Sequence, residues 1–521
     1  MTRYTGAMSL PNVAQMSVEE LLRLNPALAA LLAQKDNTIK HRDLKIAQLT
    51  HEMATLKRWT FGKRSEQVEG LQRSLLEESI DEDLEAIATE LEELKATPAD
   101  RPKGVPKRAA LPKELPRIEI RHEPDSTVCG CGCALKRIGE DISEKLDFIP
   151  GILQVERHVR GKWACERCET LIQAPVPPSV IDKGIPTAGL VAQVLVAKYA
   201  DHQPLYRQEE AFGRAGFPIP RSTQGQWVGV SGVKLTPLHE AMKALLLKRS
   251  VLHADETPLP MLKPGLKRTH RSYLWAYGTT VYDREQMIVY DFAEGRGGEH
   301  ARAFLGDWRG ALVCDDYGGY DALFRDGVTE VGCMAHARRK FHALHVNHQS
   351  EIAAEALELY GALYGVEREA KELALDAEGR RELRQRKAKP VAAALQAWLE
   401  RKLAQVPEGS ATAKAILYNL RRWPALTRYL DDGDLPIDNN WVENRIRPIA
   451  LGRNNWLFAG SARAGRRAAV VMSLIQSARL NGHDPYAYLR DVLERLPLTP
   501  EHRLEELLPH VWKPAGAGRV H

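Results

Sequence analysis

Apolar positions recur at seven-residue intervals near the start of the chain, at Leu32, Ile39, Ile46 and Met53. Leu28, Leu49 and Leu56 take the companion positions, with Lys35 and Arg42 interrupting that second stripe. A further run, Ile80, Leu84, Ile87, Leu91 and Leu94, repeats the 4-3 spacing in an acidic segment. The spacing predicts helices whose seams suit a coiled coil, parallel between chains or antiparallel within one, or an ordinary amphipathic hairpin. Residues 96–117 carry five prolines among mostly basic residues, the composition of an extended linker. Strand-like alternation then runs through "LDFIPGILQVERHVRGKWACERC". Three helix-like pieces follow between 187 and 232, the third opened by Arg221, with Ser222 or Thr223 placed as its cap. They suit a helix-turn-helix whose second helix enters a major groove, or a plain helical subdomain.

Beyond residue 250 the period changes to that of strands. "HADETP" closes one apolar strand on Asp255 and Glu256, and "GALVCDDYGGYDAL" closes another on Asp315 and Asp316. "VTEVGCMAHARRKF" reads as a further strand-like piece, residues 350–430 as almost wholly helical, and Glu443 stands at a helix start. Adjacent anions ending a buried strand repel each other and resist desolvation, so a fold that keeps them needs a counter-charge. Three carboxylates from two strand ends and one helix have the makings of a site for two divalent cations, with the choice inside each pair left open by the spacing.

Composition narrows the class. A chain of 521 residues exceeds one ordinary domain, and 44% hydrophobic with 27% charged residues is usual for a soluble protein. The longest apolar runs, such as "AAVVM" at 468–472, fall far short of the roughly 18 residues of a membrane span. The N-terminus lacks the plan of a secretory signal, which places the protein in the cytoplasm. Net charge is only +5, but Glu443 to Arg467 holds six arginines (Arg445, Arg447, Arg453, Arg463, Arg466, Arg467) against one acid. Guanidinium forks match phosphate oxygens, so the run favours phosphate recognition over a merely solvated helix face. Five of the seven cysteines lie between Cys129 and Cys168. Without an export signal this bunching reads as metal binding: Cys165 and Cys168 as one knuckle, two of Cys129, Cys131 and Cys133 as the other, in a zinc ribbon.

The order strand acid, strand acid, helix acid is the layout of RNase H-like polynucleotidyl transferases. The motifs "FGKRSEQ", "RIGEDISEKLDFIPG", "YADHQPLYRQEE", "HADETP", "DDYGGYDA", "MAHARRKF" and "DNNWVENRIRPIALGRNNWLFAGS" further resemble those of transposases of the insertion sequence 66 family, over nearly the full chain. The resemblance implies a multidomain α/β protein: coiled-coil helices at 17–95, the linker at 96–117, a zinc ribbon at 118–175, and a helix-turn-helix-like region at 185–235. An RNase H-like catalytic domain at 245–475, with its helical insertion at about 350–430, and a C-terminal segment at 476–521 complete it. It implies a bacterial, nucleoid-associated DDE transposase that cleaves the ends of a mobile element and transfers the 3′-hydroxyl ends into target DNA. Asp255, Asp316 and Glu443 are the acids it selects, holding two Mg²⁺ ions or Mn²⁺ in their place, beside structural Zn²⁺. His336 then touches the scissile phosphate or is a core histidine. The implied partners are terminal inverted repeats, target DNA, at least one further copy of the chain, and small accessory proteins from the same element. Rival readings are a non-catalytic DNA-binding regulator and a nuclease without strand transfer.

Overall fold

A computed structural model describes residues 26–61, 70–95 and 111–514, apart from positions 112, 114, 125, 131, 150–151, 177, 182–183 and 264–267. The chain divides into two compact units, residues 1–66 with 87–105, and residues 67–86 with 106–521. In the first, helix α1 (Pro26–Phe61) lays Leu49 against Ile87 and Leu91 of helix α2 (Gly70–Lys95), with Ile46, Met53, Leu56 and Leu94 around them. Of the two seams expected from the sequence, the later part of the first and the end of the second thus close on each other within one chain. Ile39 and Leu44 stand exposed on α1. The motif "FGKRSEQ", most of the linker and the helix expected before Pro26 lie outside the described residues.

The second unit holds two mixed sheets. In the smaller, β2 (Lys136–Ile149) and β3 (Ile152–Ala164) form a long antiparallel hairpin, β1 (Arg117–His122) runs parallel to β3, and β4 (Leu171–Gln173) adds an antiparallel rung. Because Lys136 pairs with Ala164, the hairpin's open end brings the segment after Val128 beside Cys165.

The larger sheet has the order β7-β6-β5-β8-β9, made of β5 (Val251–Met261), β6 (His270–Gly278), β7 (Ile288–Ala293), β8 (Ala311–Cys314) and β9 (Thr329–Gly332). β5 to β7 are antiparallel neighbours, while β5, β8 and β9 run parallel. The inner strand β6 is buried along almost its whole length, as a strand covered on both faces must be. Helices fill the covering layers. α3 (Ala188–Tyr199), α4 (Leu205–Arg214), α5 (Arg221–Leu246) and the C-terminal α15 (Ala462–Leu480) and α16 (Pro485–Arg495) share one core with β6 and β7. The insertion, from α9 (Glu351–Glu372) to α13 (Trp423–Thr427), builds a second core with Val251, Val313 and Val331 of the parallel strands.

An unpaired edge strand invites pairing with other chains, so it is usually covered. Here α15 covers β7: Ser473 Oγ accepts from Tyr290 N at 2.8 Å and Ser477 Oγ from Ile288 N at 3.0 Å.

Two local expectations change. "MAHARRKF" is helical, the start of α8 (Met334–His348), and only Thr329–Gly332 of that segment is a strand. The expected recognition helix is the long α5, whose Trp227, Val228, Leu235, Leu238, Met242 and Leu246 are buried. Its first residue follows Pro220 with no side-chain cap, so Ser222 and Thr223 lie in the first turn and do not cap it. The helix packs one face on the core and leaves another accessible, with Ser222 and Gln226 exposed and Arg221 and Thr223 part-buried at its start.

Candidate active site

β5 does not end at "HADETP"; its antiparallel ladder with β6 continues to Met261. What ends there is the parallel partner. β8 pairs Val251 with Ala311, Leu252 with Leu312 and His253 with Val313, and stops at Cys314. Counting two residues on from that last rung brings Asp255 level with Asp315. Register-matched residues of neighbouring strands point to the same face, and a one-residue offset points to the other. Asp315 therefore shares a face with Asp255, and Asp316 does not.

The hydrogen bonds agree. Asp316 turns to an ion pair with Arg422 and is half exposed. Arg422 also bonds Glu330 Oε1 at 2.6 Å and the Asp315 carbonyl at 3.3 Å, so the insertion grips the turn after β8 from outside. Asp315 Oδ1 accepts from Tyr317 N at 3.0 Å. The selection of Asp316 over Asp315 by resemblance is thus not supported by the geometry, because Asp316 is spent on Arg422. Glu256, the neighbour of Asp255, is likewise engaged: Arg296 donates to it at 2.6 Å and Tyr320 at 3.3 Å.

Glu443 arrives on α14 (Asn440–Gly452), and Asn439 fixes that helix to the strand. Asn439 Oδ1 lies 2.7 Å from His253 Nδ1, its Nδ2 donates to the Ala254 carbonyl at 2.8 Å, and its backbone N–H meets Cys333 Sγ at 3.2 Å. Sequence reasoning missed Asn439, although an amide between Asp438 and Asn440 just before a helix is a usable signal. One oxygen of Glu443 bonds Arg339 at 3.1 Å. The other, Oε1, is buried without a hydrogen-bond partner, 3.5 Å from His336 Nδ1.

Burial, with the carboxylates of Glu256, Asp315 and Glu443 around it, pushes the Asp255 carboxyl well above its ordinary range. Such crowding of part-buried carboxylates, with an orphaned carboxylate oxygen among them, fits a cation site made of oxygen ligands. Burial pushes His336 below the usual imidazole range, which favours a neutral ring.

The expected phosphate-binding residues divide by burial. Arg447 and Arg466 are exposed, as is Ser222. Arg445 stacks its guanidinium 5.3 Å from the Trp441 ring centroid, and Arg453 donates to the Pro258 carbonyl beside the sheet. Arg463, Arg221 and Thr223 are part-buried. Arg467 is a correction: it is buried between Glu82 and Asp83, with Arg467 Nη1 3.2 Å from Asp83, so its charge is satisfied inside the protein. In return the structure offers a cleft lined by Arg338, Arg339, His342 and Arg368, next to Glu443 through Arg339. "HARRKF" carried that signal: its Arg338 and Arg339 line this cleft, while Lys340 lies over the Tyr418 ring.

At the ribbon, Cys129, Cys165 and Cys168 bring their sulfurs within 4.8 Å of one another, with Cys129 Sγ 3.1 Å from Cys168 Sγ. Hydrogen bonding by Thr170 is the first cause that lowers the Cys168 thiol to about 6, so it is ready to ligate as thiolate. Cys133 packs against the same group, and Cys131 lies outside the described residues. No helix among the described residues is long and apolar enough to cross a membrane.

Comparison with known proteins converges on one family. A family described as "Transposase IS66 family" matches residues 183–467, more than half the chain. "IS66 C-terminal element" matches 473–510, "zinc-finger binding domain of transposase IS66" 126–169, and "Transposase C of IS166 homeodomain" 48–120. Among curated relatives, "Uncharacterized protein y4jD" of Sinorhizobium fredii is 39% identical over 427 residues, covering 79% of this chain and 83% of its own. "Uncharacterized protein y4qI" of the same organism is 36% identical over 512 residues, covering 94% of each. With the zinc-finger match lying over the cysteine cluster and the transposase match over the sheet and its carboxylates, the chain belongs to the IS66 transposase family.

Proposed function

We propose that the protein is a DDE-type DNA transposase with an RNase H-like catalytic domain, and that Asp255, Asp315 and Glu443 are its three acids. The observation that carries this reading is the parallel register of β5 and β8, which brings Asp255 level with Asp315, together with the orphaned Oε1 of Glu443 beside them. The sheet order, three antiparallel strands followed by two parallel ones, supports the RNase H-like assignment. Two divalent cations, Mg²⁺ or Mn²⁺, held by these carboxylates would supply activation of the attacking oxygen and charge stabilisation of the leaving one in phosphodiester chemistry.

The chain's own residues set the conditions for that chemistry. Arg296 neutralises Glu256, so the surplus negative charge is confined to the three acids. Arg422 holds the turn after β8, and Asn439 fixes the approach of Glu443. The basic cleft of Arg338, Arg339, His342 and Arg368, with exposed Arg447 and Arg466, supplies donors for the DNA backbone. The start of α5, with Ser222 and Gln226 exposed, and the zinc ribbon are further candidate DNA-binding surfaces; the ribbon's ligands are Cys129, Cys165, Cys168 and one of Cys131 and Cys133. Joining two element ends calls for at least two copies of the chain, acting on DNA in the bacterial cytoplasm, with accessory proteins of the same element as further partners.

A purely DNA-binding descendant has no use for clustered buried acids beside phosphate. The test is cleavage and strand transfer on DNA carrying the flanking inverted repeats, with Mg²⁺ or Mn²⁺. Asp255→Asn and Glu443→Gln should lower both steps by at least about a hundredfold while DNA binding persists. Full activity in Asp255→Asn would remove the assignment; cleavage without joining by the wild type would reduce it to a nuclease.

A further inference from the structure

Cys333 and His336 are chemistry-bearing residues that the proposed reaction does not use. Cys333 follows β9 and is the N-cap residue of α8, and His336 lies in the first turn of the same helix. Cys333 Sγ, a ring nitrogen of His336 and a carboxylate oxygen of Glu443 all lie within 4.8 Å of one another. His336 Nδ1 and Glu443 Oε1 are 3.5 Å apart, and each is buried without a hydrogen-bond partner. Cys333 is 2% exposed, and its sulfur already receives the Asn439 N–H. Burial pushes the Cys333 thiol up to about 12, so it ligates only by giving up its proton to an incoming cation, with the Asn439 N–H and the helix N-terminus then supporting the thiolate.

We propose that Cys333, His336 and Glu443 form a binding site for a borderline-soft divalent cation, Zn²⁺ or Co²⁺, that shares Glu443 with the carboxylate site. Sulfur and imidazole select these ions, whereas Mg²⁺ takes oxygen ligands. Three protein ligands leave a fourth position open, on the side where His336 and Glu443 reach solvent. Arg339 bears on the geometry. Its Nη2 holds Glu443 Oε2, and its Nη1 lies 3.3 Å from His336 Nε2. When Nδ1 ligates a cation the ring carries its proton on Nε2, so the Nη1 contact is lost and the exposed Arg339 turns outward. The consequence rests on the reading of Glu443 as a catalytic acid: a soft cation here draws Glu443 from the oxygen site, so Zn²⁺ inhibits Mg²⁺-dependent cleavage.

Binding and inhibition are measured separately. Full-length protein with its ribbon zinc in place is titrated with Co²⁺. The wild type should show a thiolate-to-cobalt charge-transfer band at one further ion per chain. Cys333→Ser should lack the band, and His336→Gln, at a half-buried site that tolerates change, should bind at least tenfold more weakly. Zn²⁺ should then inhibit cleavage by the wild type at a concentration at least tenfold below that needed for Cys333→Ser, each measured against its own zinc-free rate. A wild type that binds no ion beyond the ribbon's, or a band that persists in both variants, overturns the proposal. A cobalt band in a protein without Mg²⁺-dependent cleavage would keep the cation site and remove the catalytic reading instead.

Discussion

Asp255 sits in a run of groups that repel it, and single residues decide how that repulsion is distributed. Arg296 relieves Glu256, Arg422 relieves Asp316 and Arg339 meets one oxygen of Glu443, leaving Asp255 and Asp315 without an ion pair among the described residues. Sites of this kind are held at a cost to the fold, so removing one of the mutually repelling charges should stabilise the protein. In chelator, Asp255→Asn should accordingly melt at a higher temperature than the wild type, and Mn²⁺ should raise the wild-type midpoint while leaving the variant's unchanged. A variant that melts lower in chelator would show that the crowding is not unfavourable. The pairs of acids were legible in the sequence as an anomaly, but their resolution was not. The choice between Asp315 and Asp316 depends on a parallel register and on an arginine 106 residues away, neither of which leaves a local trace.

Among the elements, most strands and helices announced by period were found, since a buried strand or an amphipathic helix writes its packing into its own residues, but "MAHARRKF", read as strand-like, is helical and β5 runs on past "HADETP". What the period could not tell was function. Arg467 illustrates the difference: it stood in a run with the composition of a DNA-binding element, and it belongs to the interior. A charge run looks the same whether its arginines meet phosphate or a buried acid. Glu82 and Asp83 lie 384 residues or more before Arg467. Breaking a buried pair from one side leaves the other charge stranded, which costs about 3–5 kcal/mol. Arg467→Ala should lose stability on that scale in urea denaturation followed by tryptophan fluorescence, whereas exposed Arg466→Ala should change it by less than about 0.5 kcal/mol. Equal, small losses in the two variants would show that Arg467 is not needed to hold α2 residues 82 and 83 in place.

For the whole molecule, the sequence was most informative where a motif carried its own chemistry. The bunched cysteines foretold a cluster at the open end of a hairpin, although the hairpin proved long, with strands of 14 and 13 residues. Elemental analysis should find zinc in the ribbon, and Cys165→Ser should lose it and unfold that module; retention of the ion would place it elsewhere. The seventh-residue seam was legible as helix but ambiguous as to partner, because a hairpin and a coiled coil demand the same stripe; Leu49 and Ile87 now answer for the part they cover. The central claim is that the carboxylates brought level by the β5–β8 register perform the DNA chemistry. Asp315→Asn and Asp316→Asn, compared side by side in a Mg²⁺-dependent cleavage and strand-transfer assay on element ends, test it most directly. The account predicts a loss of at least about a hundredfold in Asp315→Asn and only a mild loss in Asp316→Asn; an inactive Asp316→Asn beside an active Asp315→Asn would contradict it.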